Sequence, residues 1–269
     1  MLNGISQELL LGGGMSLLAG LSTGIGAAAA LFLKRSDTRF LTFALGASAG
    51  VMVYISFMEL MPEATHMLEK NGQATWPGTL SFFAGMALAC LIDRCIPEDE
   101  NPHEVREAGL LQMEHAPGQF SGSAGIRRSA LLFTLAIAIH NFPEGIATVA
   151  AAFDSPEIAT SVALAVAIHN IPEGMAVALP LLYGTGNRRK AFGWATLSGL
   201  AEPLGALVAM LILLPFLSPT LLATLFAGVA GIMVYISFDE LLPMAERWGH
   251  HHLSIYGVAA GMLIMALVL

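Results

Sequence analysis

Leu135-Ala-Ile-Ala-Ile-His140-Asn-Phe-Pro-Glu-Gly145 returns twenty-nine residues later as Leu164-Ala-Val-Ala-Ile-His169-Asn-Ile-Pro-Glu-Gly174. Each copy sets His, Asn and Glu inside a strongly apolar run. An ionisable group at bilayer depth costs about 2.5–3.5 kcal/mol even on a lenient insertion scale. Two such copies call for a shared partner, and a divalent cation supplies one. His140 and Glu144 stand four residues apart, as do His169 and Glu173, so on a helix each pair shares one face.

The surrounding sequence has the composition of a membrane protein. Hydrophobic residues make up 55% of the 269 residues and charged residues 12%, with a mean hydropathy of +0.69. The apolar runs are continuous and rich in Ala, Leu, Gly and Met, which excludes the alternation of a β-barrel. Eight spans are expected, at 7–33, 40–62, 78–96, 129–152, 158–183, 191–214, 220–243 and 254–269. The expected fold is therefore an all-α integral membrane protein, one transmembrane domain over residues 1–269. The start Met1-Leu2-Asn3-Gly4 has no basic segment, so the first run should remain as a span. The break at 97–128, rich in Pro, Gly, Ser, Glu and His, reads as a mobile loop between spans three and four.

Basic residues set the orientation. With both termini outside, Lys34, Arg35, Arg39, Arg94, Arg106, Arg127, Arg128, Arg188, Arg189, Lys190 and Arg247 fall on the cytoplasmic side and Lys70 alone outside. The loop 97–128 is then cytoplasmic. The net charge of −8 comes largely from carboxylates in or beside the spans, which points to cation handling and away from nucleic acid. Cys90 and Cys95 read as packing thiols, with neither a disulfide framework nor a thiolate metal site indicated.

A second repeat gives the spans a symmetry. Gly50-Val-Met-Val-Tyr-Ile-Ser-Phe-Met-Glu-Leu-Met-Pro62 in span two recurs as Gly231-Ile-Met-Val-Tyr-Ile-Ser-Phe-Asp-Glu-Leu-Leu-Pro243 in span seven. Spans two and seven run in opposite directions, and so do spans four and five with the twin motifs. Both pairings fit inverted repeats about an axis in the membrane plane, as in alternating-access transporters with midplane sites.

Depth brings the polar groups to one plane. At ~1.5 Å per residue, His140 lies about 18 Å into span four, His169 about 16 Å into span five from the other side, and Glu202 about 17 Å into span six. Pro143 and Pro172 each remove a backbone donor beside the motif, which is tolerated where the freed groups line a polar cavity. The candidate metal ligands are His140, Asn141, Glu144, His169, Asn170, Glu173 and Glu202. This nitrogen-and-oxygen set suits Zn²⁺ and also Fe²⁺, Mn²⁺, Co²⁺ or Cd²⁺. Seven ligands exceed one tetrahedral site, so either two adjacent metals share Glu144 and Glu173 or one ion is held loosely.

Further carboxylates mark entrances. Glu59 and Glu63, with His66 beyond, sit near the outer end of span two; Asp239 and Glu240 sit near the inner end of span seven, before Glu246 and His250-His251-His252. At each mouth they would draw cations by focusing the local field. The expected partners are metal ions and the lipid bilayer, with no nucleic acid; a homodimer is one option for the assembly.

The twin His-Asn-x-Pro-Glu-Gly motifs, Gly199-Leu-Ala-Glu202 in span six and eight spans resemble the ZIP family of divalent-metal transporters, its bacterial ZupT type in particular. The resemblance covers nearly the whole chain. It implies metal uptake, Zn²⁺ and Fe²⁺ included, into the cytoplasm through an inner or plasma membrane, with no catalytic cofactor. It also implies one site on His140, Glu144, His169 and Glu173, and another on Asn141, Glu144, Asn170, Glu173 and Glu202. An elevator-like movement of spans one, four, five and six against the other four belongs to the same implication. With only His103 and His115, the loop 97–128 lacks the His-rich run of many relatives. An intramembrane metalloenzyme is the alternative from another class, but the chain has no His-Glu-x-x-His string. A proton or cation channel could use the same carboxylates without saturable metal dependence.

Overall fold

The computed structural model describes residues 2–32, 38–94, 124–213, 216, 218–246 and 248–268. Within the helices a few side chains, that of His140 among them, lie outside the description. The described elements are helical, in chain order α1 (Leu2–Ala30), α2 (Thr38–Lys70), α3 (Trp76–Arg94), α4 (Ala124–Asp154), α5 (Pro156–Thr185), α6 (Arg188–Ile212), α7 (Pro219–Glu246) and α8 (His251–Val268). Among the described residues, seven of these are long and apolar enough to cross a membrane. The eighth, α4, has 31 residues and carries the first motif. Residues 97–123 of the expected loop lie outside the described residues, while 124–128 already belong to α4.

Local chemistry sets the helix ends. Ser155 accepts a bond from Ile158 N at 3.1 Å and Pro156 takes the first turn of α5, so one residue separates α4 from α5. Ser218 and Pro219 start α7 in the same way, with Leu221 N 3.2 Å from the Ser218 hydroxyl. Asn187 caps α6 through Lys190 N at 3.1 Å. Gly186 ends α5 at φ 63°, a left-handed conformation that suits glycine.

The main departure from expectation is in α2 and α7. The expected spans close at Pro62 and Pro243, yet α2 runs on to Lys70 and α7 to Glu246. The reason is a wide π turn placed just before each proline, at Ser56–Leu60 and Ser237–Leu241. Met61 N–H bonds back to Ser56 O and Leu242 N–H to Ser237 O, a ladder shifted by one residue. A proline has no N–H to donate and clashes with the carbonyl four residues back, and the wider turn relieves both problems. Ser56 and Ser237 also donate their hydroxyls to Met52 O and Met233 O, each at 2.7 Å.

Helix packing divides into two groups. α1, α4, α5 and α6 pack on one another, and α2, α3, α7 and α8 do likewise; across the boundary α2 lies on α5 and α7 on α4. Within each group, helices meet backbone to backbone at glycine. A Cβ on Gly26 would strike Ile171 O and one on Gly205 would strike Phe142 O; Gly174 faces Thr23 O and Gly145 faces Glu202 O. In the second group Gly50 faces Val258 O and Gly231 faces Phe82 O. These contacts come in matched pairs, relating α1 to α6, α2 to α7, α3 to α8 and α4 to α5. Gly20 and Gly199 face each other's carbonyl oxygens, which places them on the axis of that symmetry. Small residues thus supply the close approach that association inside a bilayer requires. Leu80, Phe83, Leu91, Leu263 and Leu267 are exposed on α3 and α8, as expected for a lipid-facing surface.

Candidate metal centre

Three adjoining helices build the polar centre. α4 contributes Asn141 and Glu144, α5 contributes His169, Asn170 and Glu173, and α6 contributes Glu202; all six are at most 1% exposed. The helices continue through Pro143 and Pro172, so each motif keeps helical spacing. Ser22 on α1 donates to Ala167 O at 2.9 Å and Ser48 on α2 to His169 O at 3.2 Å. These bonds flank Ile168, whose carbonyl lost its usual partner to Pro172.

The side chains converge on one another. His169 Nε2 lies 3.0 Å from Glu144 Oε1 and 3.9 Å from Glu173 Oε2, while its Nδ1 is 3.2 Å from Ala165 O. A carbonyl at Nδ1 fixes the proton there and aims Nε2 at the two carboxylates. Asn170 Nδ2 donates to Glu202 Oε2 at 2.8 Å and to Ala19 O at 3.0 Å. Its Oδ1 and Glu202 Oε1 have no hydrogen-bond partner among the described residues. Asn141 Nδ2 reaches Ser198 O at 3.4 Å; with the amide turned over, the nitrogen donates to Glu173 Oε1 at 2.9 Å and Ile137 O at 3.3 Å. The second orientation pairs the amide nitrogen with acceptors, so Asn141 ties α4 to the Glu173 carboxylate.

Among the described residues no three His, Cys, Asp or Glu side chains form a closed cation cage. The spacing is nonetheless close to what a metal needs. Two ligands of a tetrahedral ion with bonds of ~2.0–2.1 Å lie about 3.3 Å apart, and the separations at His169, 3.0 and 3.9 Å, bracket that edge. Among the described residues, Arg39, Lys70, Arg94, Arg188, Arg189 and Lys190 all lie in the first or last turn of a helix, so none of these supplies a counter-charge at this depth.

The other sequence-derived residues sit elsewhere. Glu59 is half-buried beside Glu63, which itself approaches His66 at 3.6 Å. Glu240 is buried, and Asp239 is half-buried against the Tyr235 hydroxyl with Asp93 nearby. Glu246 meets His251 at 2.7 Å in an exposed pair. Sequence reasoning did not single out Ser22, Ser48 or Ala19, which tie the motif helices to their neighbours. The signal for Ser48 was its place in Gly46-Ala-Ser-Ala-Gly50, a small-residue run just before the repeat.

Comparison with known proteins agrees with this architecture. The profile of the ZIP Zinc transporter family matches residues 98–269. A protein named zinc transporter ZupT from Akkermansia muciniphila is 63% identical over 258 residues, 95% of each chain. Relatives of the same name are 52% identical in Corynebacterium aurimucosum, over 94% of each chain, and 49% identical in Nitratidesulfovibrio vulgaris, over 97% of each. Similarity of this strength covers nearly the whole chain, and the chain belongs to the ZIP zinc transporter family.

Proposed function

We propose that this membrane transporter carries divalent cations into the cytoplasm by alternating access, with Zn²⁺ the foremost cargo. The observation that carries the reading is the meeting of Glu144, Glu173 and Glu202 with His169 and two asparagines in a buried plane. Three carboxylates at that depth need positive charge, and among the described residues no lysine or arginine stands beside them. Nitrogen and oxygen donors without thiolate also admit Fe²⁺, Mn²⁺, Co²⁺ and Cd²⁺.

In this reading two ions share Glu144 and Glu173. His140 and His169 complete one site; Asn141, Asn170 and Glu202 complete the other. Cargo must leave again, so an imperfect shell of mixed ligands suits release better than a closed cage. The helix group α1, α4, α5 and α6 would move as a body past α2, α3, α7 and α8. Glycine contacts within each group, and the sparser boundary between them, support that division. Glu59 and Glu63 would lie on the path at the outer mouth, Asp239 and Glu240 at the inner one. Eleven of the twelve basic residues on one side support extracytoplasmic termini.

Zinc entry into proteoliposomes with a trapped zinc-sensitive dye tests the function. Saturable entry in wild type, lost in His169→Ala plus Glu173→Ala, is the expected result. Equal entry in both would remove the motifs from the path. Calorimetric titration tests the ligand sharing: Glu144→Ala should lower the zinc stoichiometry of both sites and Asn170→Ala that of one. Unchanged stoichiometry in Glu144→Ala would end the two-metal reading.

A further inference from the structure

The boundary between the two helix groups breaks the symmetry that governs the rest of the molecule. Gly50 matches Gly231 in the α2–α7 repeat, so the residue two positions earlier in each copy, Ser48 and Val229, also correspond. Both are buried. Ser48 donates its hydroxyl across the boundary to His169 O at 3.2 Å. The matching contact on the other side would run from Val229 on α7 to the His140 carbonyl on α4, and valine has no hydroxyl to give.

We infer that Ser48 is a state-selecting positioning residue, which holds the α5 motif against α2 in the arrangement described and has no counterpart in the opposite one. The inference rests on the alternating-access reading above. When inverted repeats exchange conformations, the α4–α7 boundary takes up the geometry that α2–α5 has here. In the present arrangement the hydroxyl gains a bond to a backbone carbonyl one step from the ion-facing imidazole. In the exchanged arrangement Ser48 loses that bond, and Val229 forms none in its place. A single hydroxyl therefore tilts an otherwise balanced pair of states, by about fivefold for a net hydrogen bond of ordinary strength.

The test places spin labels on Arg94→Cys at the end of α3 and Arg189→Cys at the start of α6, one in each group and both exposed. Cys90→Ala and Cys95→Ala remove the native thiols from the full-length protein. Pulsed electron–electron distance distributions are recorded in lipid nanodiscs with chelator and with zinc. The wild type should show a dominant distance and a minor one. Ser48→Val should raise the minor population about fivefold, and adding Val229→Ser should raise it further by supplying the missing bond. Ser48→Thr, which keeps the hydroxyl, should restore the wild-type ratio. Ser48→Ala stands in if Ser48→Val is not monodisperse.

A ratio unmoved by Ser48→Val, or moved equally by Ser48→Thr, overturns the inference while leaving alternating access intact. One unchanging distance in every variant and condition, with zinc uptake retained, overturns the two-body reading as well.

Discussion

Asn170→Asp separates a structural amide from one that faces a cation. In the wild type Asn170 Nδ2 donates to Glu202 Oε2 at 2.8 Å and to Ala19 O at 3.0 Å. Aspartate keeps the shape but replaces that donor with an acceptor oxygen. A hydrogen bond to a charged group is worth about 1.5–3 kcal/mol. Two carboxylates with charge centres ~4 Å apart repel by about 4 kcal/mol at an effective dielectric of 20. Summed, these give about 5.5–7 kcal/mol for a fully ionised pair, an upper bound on the loss in the metal-free variant, because two buried carboxylates relieve the repulsion by sharing one proton. Zinc reverses the sign of the new charge's effect, because a cation between the introduced carboxylate and Glu202 attracts both. A tenfold gain in affinity adds about 1.4 kcal/mol of ligand-linked stabilisation at saturating metal. Thermal unfolding by tryptophan fluorescence at one fixed scan rate, in chelator and in graded zinc, reads both effects. The expected outcome is a lower midpoint in chelator and a larger rise with zinc than wild type shows. A rise no larger than wild type would mean that no cation sits beside Asn170, and that its amide only ties α5 to α6 and α1.

Other outcomes follow from single contacts. Gly145→Ala drives a methyl into Glu202 O and should abolish a monodisperse product on size-exclusion chromatography. Gly193→Ala, on the same helix as Glu202 but with open space around it, should be tolerated and raise the midpoint, in line with about 0.4–1 kcal/mol for such a change. Ser155→Ala removes the cap from Ile158 N and should cost about 1 kcal/mol, read as a lower thermal midpoint with unchanged zinc stoichiometry. Glu240→Gln, at the proposed inner mouth, should reduce zinc flux in proteoliposomes while calorimetric stoichiometry stays at the wild-type value; a lost ion would move Glu240 into the binding site itself.

Much of this architecture is legible in the chain itself. Continuous apolar runs announce the helices, and the twin motifs announce which helices carry the polar centre. His169 and Glu173 share a helix face because four-residue spacing fixes it, and that spacing is written in the chain, whereas Glu144 reaches His169 only through the packing of α4 on α5. The expected spans close at Pro62 and Pro243, where the helix instead widens by one residue and continues. Periodicity does not register a turn that changes period for five residues. The kinship of α1 and α6 is hidden for a different reason. Gly20-Leu-Ser-Thr-Gly-Ile-Gly26 and Gly199-Leu-Ala-Glu-Pro-Leu-Gly205 share only their outer glycines and one leucine, and it is their reciprocal packing that matches them. Ser48 is only faintly marked: its small-residue run singles out the segment, but a serine between alanines looks like any packing residue until its hydroxyl is seen to reach His169 O.

The contact between Gly20 and Gly199 also bears on how such a chain can change over generations. Each residue stands in the other's way, so replacing one glycine cannot be repaired by shrinking its neighbour, which is already the smallest residue. Elsewhere the two copies differ, Glu202 standing where its match is Thr23, but on the axis they share one constraint. A repeated chain whose halves differ in their chemistry is held, at the point where they touch, to the smallest residue on both sides.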